Sequence, residues 1–267
     1  MTAIALTIAG SDSGGGAGIQ ADLKTFSALG AYGASVVTAI TAQNTRGVRA
    51  VEDVSPTMVA AQMAAVFEDL AVDAVKIGMV SRQQTIETIA AGLAPYHGSV
   101  VLDPVMVATS GDRLLQADAM DALRSLLLPR AALVTPNLPE AALLTGLPIA
   151  EDEAGMVAQG EAILRAGAKA VLVKGGHGRG PESTDLLLTD GALHRLTAPR
   201  IETRHDHGTG CTLAAAITAG LARGEALAAA VSAAKTYLHQ ALEAGRTLGV
   251  GKGRGPVHHF HAWWRPD

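Results

Sequence analysis

The chain has 267 residues, of which 48% are hydrophobic, 17% charged and only 3% aromatic, with a formal net charge of −4. That length allows one large α/β domain or two small ones, around a sizeable core built mostly from Ala, Leu and Val. The acidic balance and the lack of long like-charge runs point away from nucleic acid, and a single cysteine excludes an intramolecular disulfide or a multi-thiolate zinc site.

The opening MTAIALTIAGSDSGG carries a short apolar stretch with no basic region before it, and fits neither a signal peptide nor a membrane span. No other segment approaches the ~18 uninterrupted apolar residues a span needs. A soluble, cytoplasmic protein with no membrane partner is therefore expected.

Short apolar runs at 3–9, 35–41, 74–78, 99–103, 132–135 and 170–174 read as strands apolar on both faces, as parallel strands covered by helices must be. Between them, 17–29 (stopped by Gly30), 56–70, 82–93, 118–128 and 151–166 have helical period, and Asn137 is placed to cap a short helix over 139–144, with Gly146 after it. Repeated β-then-α alternation predicts an α/β layered fold around a mostly parallel sheet. Past Lys174, GGHGRGPES is turn-rich, and 183–189 with 192–197 about Asp190-Gly191 predict a β-hairpin. Two helices follow, 208–222 and 225–244, the second with a stripe of Leu227, Val231, Ala234, Leu238 and Leu242. With no low-complexity linker, repeat or composition break, one domain over 1–267 is expected.

Polar residues collect where the strands end. The six ends read AGSDSGGGAGIQAD, TAQNT, KIGMV, LDPVMVATSG, TPNLPE and VKGGHG. Ligands of open parallel sheets bind beyond the carboxyl ends of the strands. Asp103, Asn137, Glu140 and Lys174 thus predict one crevice lined by metal-suitable oxygens and a cation, fit for a nucleotide or phosphate. The Gly14–Gly16 cluster with Gly18 lacks dinucleotide-fingerprint spacing, since Ile19 stands where the last glycine belongs, and no P-loop occurs. It reads as backbone that approaches a small ligand closely, with Asp22 one helical turn inside.

The sole cysteine follows Gly208-Thr209-Gly210 at the head of an Ala-rich helix. Unpaired N–H groups there converge on anions, and a thiol in that position is expected to have a lowered pKa and be a thiolate at neutral pH. A nucleophile for acyl transfer, a base for a hydroxyl and a small residue that merely fits all remain open for Cys211. The crevice supplies the parts of phosphoryl transfer, namely metal ligands, cations and an anion cradle, better than those of acyl transfer.

The segments AGSDSGGGAGIQADLKTF, TAITAQNT, VKIGMV, LDPVMVATSGDRLL, TPNLPEAALLTG, VLVKGGH, HGTGCTL and GKGRGPVHHFHAWW, spanning Ile4 to Trp264 in order, resemble the hydroxymethylpyrimidine/phosphomethylpyrimidine kinases of thiamine biosynthesis, in the ribokinase-like superfamily. The most specific piece is Gly-Thr-Gly followed by Cys, where sugar kinases of the superfamily carry a catalytic Asp. The resemblance implies a three-layer α/β/α sandwich, a homodimer and ATP with Mg²⁺. It further implies two successive phosphorylations, of 4-amino-5-hydroxymethyl-2-methylpyrimidine and then of its monophosphate. Gln43 and Asp22, with Gly10, Ala17, Met79 and Val105, match pyrimidine-binding positions. Asn137, Glu140 and Asp103 match positions near Mg²⁺ and the phosphates, Asp103 and Glu140 as metal ligands. Lys174, Thr209 and Lys235 match positions around ATP, and Gly208, Gly210 and Cys211 the anion cradle with its base. Two departures stand out: His205-Asp206 where the family often has Asn-Thr, and Thr109 where it often has Lys.

The competing readings are a pyridoxal or pyridoxine kinase of the same superfamily, a non-catalytic pyrimidine-binding regulator and a thiol-dependent acyl transferase. Gln43 favours an aminopyrimidine edge, and the phosphate-handling set opposes the regulator. In HHFHAWW, Phe260, Trp263 and Trp264 are expected to pin the C-terminal tail rather than the histidines to hold a metal.

Overall fold

A computed structural model of the chain describes residues 1–106, 116, 119–176 and 180–264. The main sheet has the order β10-β9-β8-β7-β6-β5-β1-β2. Its parallel part comprises β2 (Tyr32–Val37), β1 (Ile4–Ala9), β5 (Ala74–Ile77), β6 (Ser99–Leu102), β7 (Leu133–Val134) and β8 (Ala170–Lys174). The hairpin β9 (Glu182–Thr189) and β10 (Ala192–Pro199) extends it antiparallel, turning at Gly191 with φ +79. That positive φ is what the Asp-Gly pair supplies.

Side-chain alternation along the buried strands sorts the two helical layers. Leu6, Ile8, Val75 and Ile77 pack on one face with Val59 and Met63 of α2 (Pro56–Asp69) and Ile86 and Ile89 of α3 (Gln83–Gly92). Ala5 and Ala74 face the other way, onto Phe26 of α1 (Gly18–Ala28) and Ala215 and Ala219 of the later helix over 209–222. The first layer is completed by α4 (Ala119–Ala122), which continues through a π-turn (Leu123–Leu127) and a 3-10 turn (Leu128–Arg130), by α5 (Leu138–Thr145) and by α6 (Glu153–Arg165). The second is completed by α7 (Thr209–Ala222) and α8 (Leu227–Gly245), whose Val231 and Ala234 are buried against the sheet. The α/β layered fold expected from the alternation is found, in the three-layer form that the resemblance implies.

Two expectations need correction. Residues 35–41 do not form one strand: β2 ends at Val37, Thr38 turns the chain, and β3 (Ala39–Asn44) leaves the main sheet. It pairs antiparallel with β4 (Gly47–Asp53) in a separate two-stranded sheet, with a bulge at Ala42/Gln43. The TAQNT segment is thus mostly strand rather than a strand-end loop. β4 escaped notice because its side chains are largely exposed and lack an apolar alternation. The helix expected over 118–128 is α-helical only to Ala122; Pro129 removes a donor where it would continue. Thr109 and His177 lie outside the described residues.

Candidate active site

A cleft of about 890 Å³ runs along the carboxyl edge of the parallel strands. Its wall takes Gly10 and Ala17 after β1, Met79 after β5, Asp103 and Val105 after β6, Asn137 and Glu140 at the head of α5, and Lys174 at the end of β8. Gln43 comes from the small sheet, Gly208, Thr209, Gly210 and Cys211 from the head of α7, and Lys235 from α8. Of the residues predicted from sequence to meet a ligand, Asp22 and the cluster Gly14, Gly15 and Gly16 are not on this surface, although Gly18 is.

Asp22 is fully buried beneath the wall. Thr7 and Lys76 are register partners on β1 and β5, so both point to the α1 side, and Asp22 reaches both. Thr7 Oγ1 donates to its Oδ2 at 2.7 Å, and Lys76 Nζ lies 2.9 and 2.8 Å from its two oxygens. Burial opposes charge on Lys76, but Asp22 outweighs it and holds the ammonium above its ordinary range. Both side chains are fully buried; Lys76 borders the cleft, and Asp22 lies behind it, off the lining.

At the other end Lys174 Nζ lies 2.9 Å from Asp103 Oδ1, to which Thr135 Oγ1 also donates at 3.0 Å. Burial would raise the Asp103 carboxyl, yet Lys174 and Lys76 prevail and keep it below the usual range. Its Oδ2 is buried and has no hydrogen-bond partner among the described residues. Glu140 caps α5 reciprocally with Asn137: Glu140 N donates to Asn137 Oδ1 at 2.9 Å and Asn137 N to Glu140 Oε2 at 2.8 Å. Burial pushes the Glu140 carboxyl up to about 7 against the pull of Lys174, with Asp103 adding to the rise. Among the described residues no three His, Cys, Asp or Glu side chains are spaced to hold a metal by themselves. A Mg²⁺ held by one or two carboxylates together with substrate phosphates needs no such cluster. The unpartnered Asp103 oxygen and the nearby Glu140 fit it.

Between these ends, Gly208 opens α7 with φ +81. A Cβ there would collide with the Gly16 carbonyl oxygen, so the two loops touch backbone to backbone. A Cβ on Gly210 would lie 3.2 Å from Lys174 Nζ and 3.7 Å from Asp103 Oδ2. A cation, a free carboxylate oxygen and the N–H groups of a helix N-terminus thus meet at one spot. The thiolate expected at Cys211 is not what this site favours. Burial pushes the thiol up to about 11, Asp22 and Asp103 add to the rise, and Lys76 opposes it.

Lys235 points into the cleft but is already paired, 2.7 Å from Asp185 Oδ2 and 3.3 Å from Ser183 Oγ. Asp206, one of the departures, forms a two-pronged ion pair with Arg254, its Oδ1 2.8 Å from Nε. Sequence reasoning missed Asp12, Thr41, Lys76, Asp185, His207 and Arg254 on the wall. Lys76 was findable: a lysine inside the buried run AVKIG needs a partner.

The comparisons agree with this geometry. The family model described as phosphomethylpyrimidine kinase matches residues 12–258. A hydroxymethylpyrimidine/phosphomethylpyrimidine kinase of Rhizobium meliloti is 69% identical, over 99% of this chain and 100% of its own. Among solved structures, the ADP complex of Bacillus subtilis pyridoxal kinase superposes with a TM-score of 0.90 at 35% identity, covering 98% of this chain and 99% of that one. The phosphomethylpyrimidine kinase of Clostridium difficile 630 gives 0.79 at 47% identity, covering 89% and 98%. With a family model matched over residues 12–258 and a relative 69% identical over 99% of it, the chain belongs to the phosphomethylpyrimidine kinase family.

Proposed function

We propose that the chain phosphorylates 4-amino-5-hydroxymethyl-2-methylpyrimidine from ATP and then phosphorylates the monophosphate again, as a step of thiamine biosynthesis. The observation that carries this reading is the meeting of Lys174, the free Asp103 oxygen and the α7 N-terminus at Gly210. The pyrimidine sits at the Gln43, Met79 and Val105 end, where the Gln43 amide can pair with an aminopyrimidine edge. The nucleotide takes the opposite end, its base against the apolar side chains of Leu213, Leu238 and Leu242.

In the first step the substrate hydroxyl forms a bond to the γ-phosphorus as the bond from that phosphorus to the bridging oxygen of ADP breaks. Lys174 and the N–H groups of residues 208–211 are pre-aimed at the charge on the transferring group, which is where fixed dipoles are most effective. A bound Mg²⁺ would supply charge neutralisation of the phosphates, with Asp103 and Glu140 as its protein ligands. A neutral thiol is no base, so Cys211 orients the hydroxyl through its sulfur. The proton leaves late, to an oxygen of the transferred group, whose monoester product has a second pKa near ~6. A loose transition state asks for little more. The second acceptor is a phosphate already ionised at neutral pH.

Support for a homodimer comes from exposed apolar side chains, Ile40 and Val51 on the small sheet and Met58 in the first turn of α2. No described helix is long and apolar enough to cross a membrane, and a cytoplasmic location, where ATP is supplied, is part of the proposal. Phosphorus NMR of ATP with the hydroxymethylpyrimidine tests it. Successive appearance of a monoester and a diphosphate is expected; ATP left unconsumed would refute it.

A further inference from the structure

The glycine-rich loop and the anion loop are held together by a pair that the phosphoryl-transfer chemistry above does not use. Asp12 is 2% exposed. Its Oδ1 accepts from Gly14 N at 2.8 Å, and its Oδ2 from Gly16 N at 3.0 Å and Ala17 N at 2.8 Å. The same Oδ2 lies 2.8 Å from Nε2 of His207, 195 positions away and directly before Gly208. Burial works to raise the Asp12 carboxyl, but the His207 ring, with the N–H groups of Ala17 and Gly14, holds it below its ordinary range.

His207 is itself pinned from behind, its N–H donating to Gly255 O at 3.0 Å. Its Nε2 also lies 3.4 Å from Gln43 Nε2. The fit leaves no slack: a Cβ on Gly16 would meet the His207 ring at 2.5 Å, and one on Gly208 the Gly16 carbonyl. One carboxylate thus shapes the loop beside Ala17, on the pyrimidine side, and fixes the residue from which the phosphate cradle starts. The Gln43 amide meets the same ring.

We infer that Asp12 and His207 are positioning residues for phosphoryl transfer, a couple that sets the distance between the acceptor hydroxyl and the anion cradle. The inference rests on the kinase reading. Neither residue touches the reacting atoms; both act through the loops they join. Misplacement of about 1 Å can cost 10²-fold in rate with binding barely altered.

The test compares Asp12→Asn, His207→Leu, His207→Gln and the double variant Asp12→Asn/His207→Leu, with ATP and the hydroxymethylpyrimidine as substrates. The Asn amide would turn a donor toward the donors that Asp12 now receives, whereas Gln at 207 brings an N–H to the reach of imidazole Nε2. Expected are kcat losses of about 10- to 100-fold for Asp12→Asn and His207→Leu, with the KM for ATP within about threefold of wild type. The double variant should be no worse than the poorer single one, as residues acting as a unit are non-additive. His207→Gln should recover most of kcat. The inference is overturned if folded His207→Leu keeps wild-type kcat, if Gln and Leu at 207 lose activity alike, or if the single losses multiply in the double variant. If Asp12→Asn fails to fold, the Gln-against-Leu comparison at 207 decides; if His207→Leu fails to fold, kcat of Asp12→Asn against that of His207→Gln decides. Absence of turnover by the wild-type chain would instead strike the kinase reading itself.

Discussion

Lys174 binds one oxygen of Asp103 at 2.9 Å and leaves the other buried without a partner among the described residues. A buried carboxylate oxygen with nothing to accept from costs free energy, and a cation brought in with the phosphates would repay it. Asp103→Asn should therefore lower kcat by at least about 10²-fold and raise the Mg²⁺ concentration for half-maximal rate. Titrating Mg²⁺ against ADP release checks this; an unchanged Mg²⁺ dependence would remove Asp103 from the metal site.

Cys211 should matter to one step more than the other. Cys211→Ala is expected to slow phosphorylation of the hydroxymethyl group more than phosphorylation of the monophosphate, whose acceptor carries no proton to orient. Because burial holds the thiol near 11, the kcat profile of the first step should show no thiol titration between about pH 6 and 9. Separate assays of the two steps read this directly, and equal losses would contradict it.

Asp22 and Lys76 form a fully buried ion pair, so their removal should be judged as a pair. Asp22→Asn leaves an unpaired buried ammonium and should cost about 3–5 kcal/mol of stability, whereas the apolar double variant Asp22→Leu/Lys76→Met should recover most of it. Denaturant melts measure both. A mild Asp22→Asn effect on stability joined to a large rise in KM for the pyrimidine would restore Asp22 as a substrate contact.

The tail carries a pH-sensitive anchor. His259 is 5% exposed, with Nε2 3.1 Å from Thr212 Oγ1, and its carbonyl accepts from Tyr237 OH at 2.6 Å. Burial drops its pKa to about 3, with Lys24 and His258 adding to the fall. The unfolded residue protonates near 6.5, so between 6.5 and 3 the unfolded state binds more protons, and stability is lost as pH falls through that window. His259→Gln should flatten the decline in Tm from pH 7 to pH 5 by at least about 2–4 °C, the shift expected for ~1 kcal/mol in a chain of this size. An identical slope in the variant would show that other groups set it.

Much of this was legible in the sequence because the parallel strands are buried on both faces. Runs such as IALTIA and AVLVK have no other reading once helical stretches separate them, and their ends name Asp103, Asn137, Glu140 and Lys174. The small sheet was not legible, since exposed strands like GVRAVED carry no periodic signal and Val37 runs into Ala39 without a breaker. Protonation was not legible either. A helix N-terminus argues for a thiolate at Cys211, and only the packing around it shows that burial prevails. The Asp12–His207 pair spans 195 positions, a separation that no local pattern encodes.

Passage of phosphate from ATP to a hydroxymethylpyrimidine and then to its monophosphate is the activity proposed for this cleft. The most direct measurement is ADP release by one enzyme preparation with the hydroxymethylpyrimidine, its monophosphate and pyridoxal side by side. Turnover with both pyrimidines and a lower kcat/KM with pyridoxal are expected. Turnover with pyridoxal alone, or with none of the three, would contradict that activity.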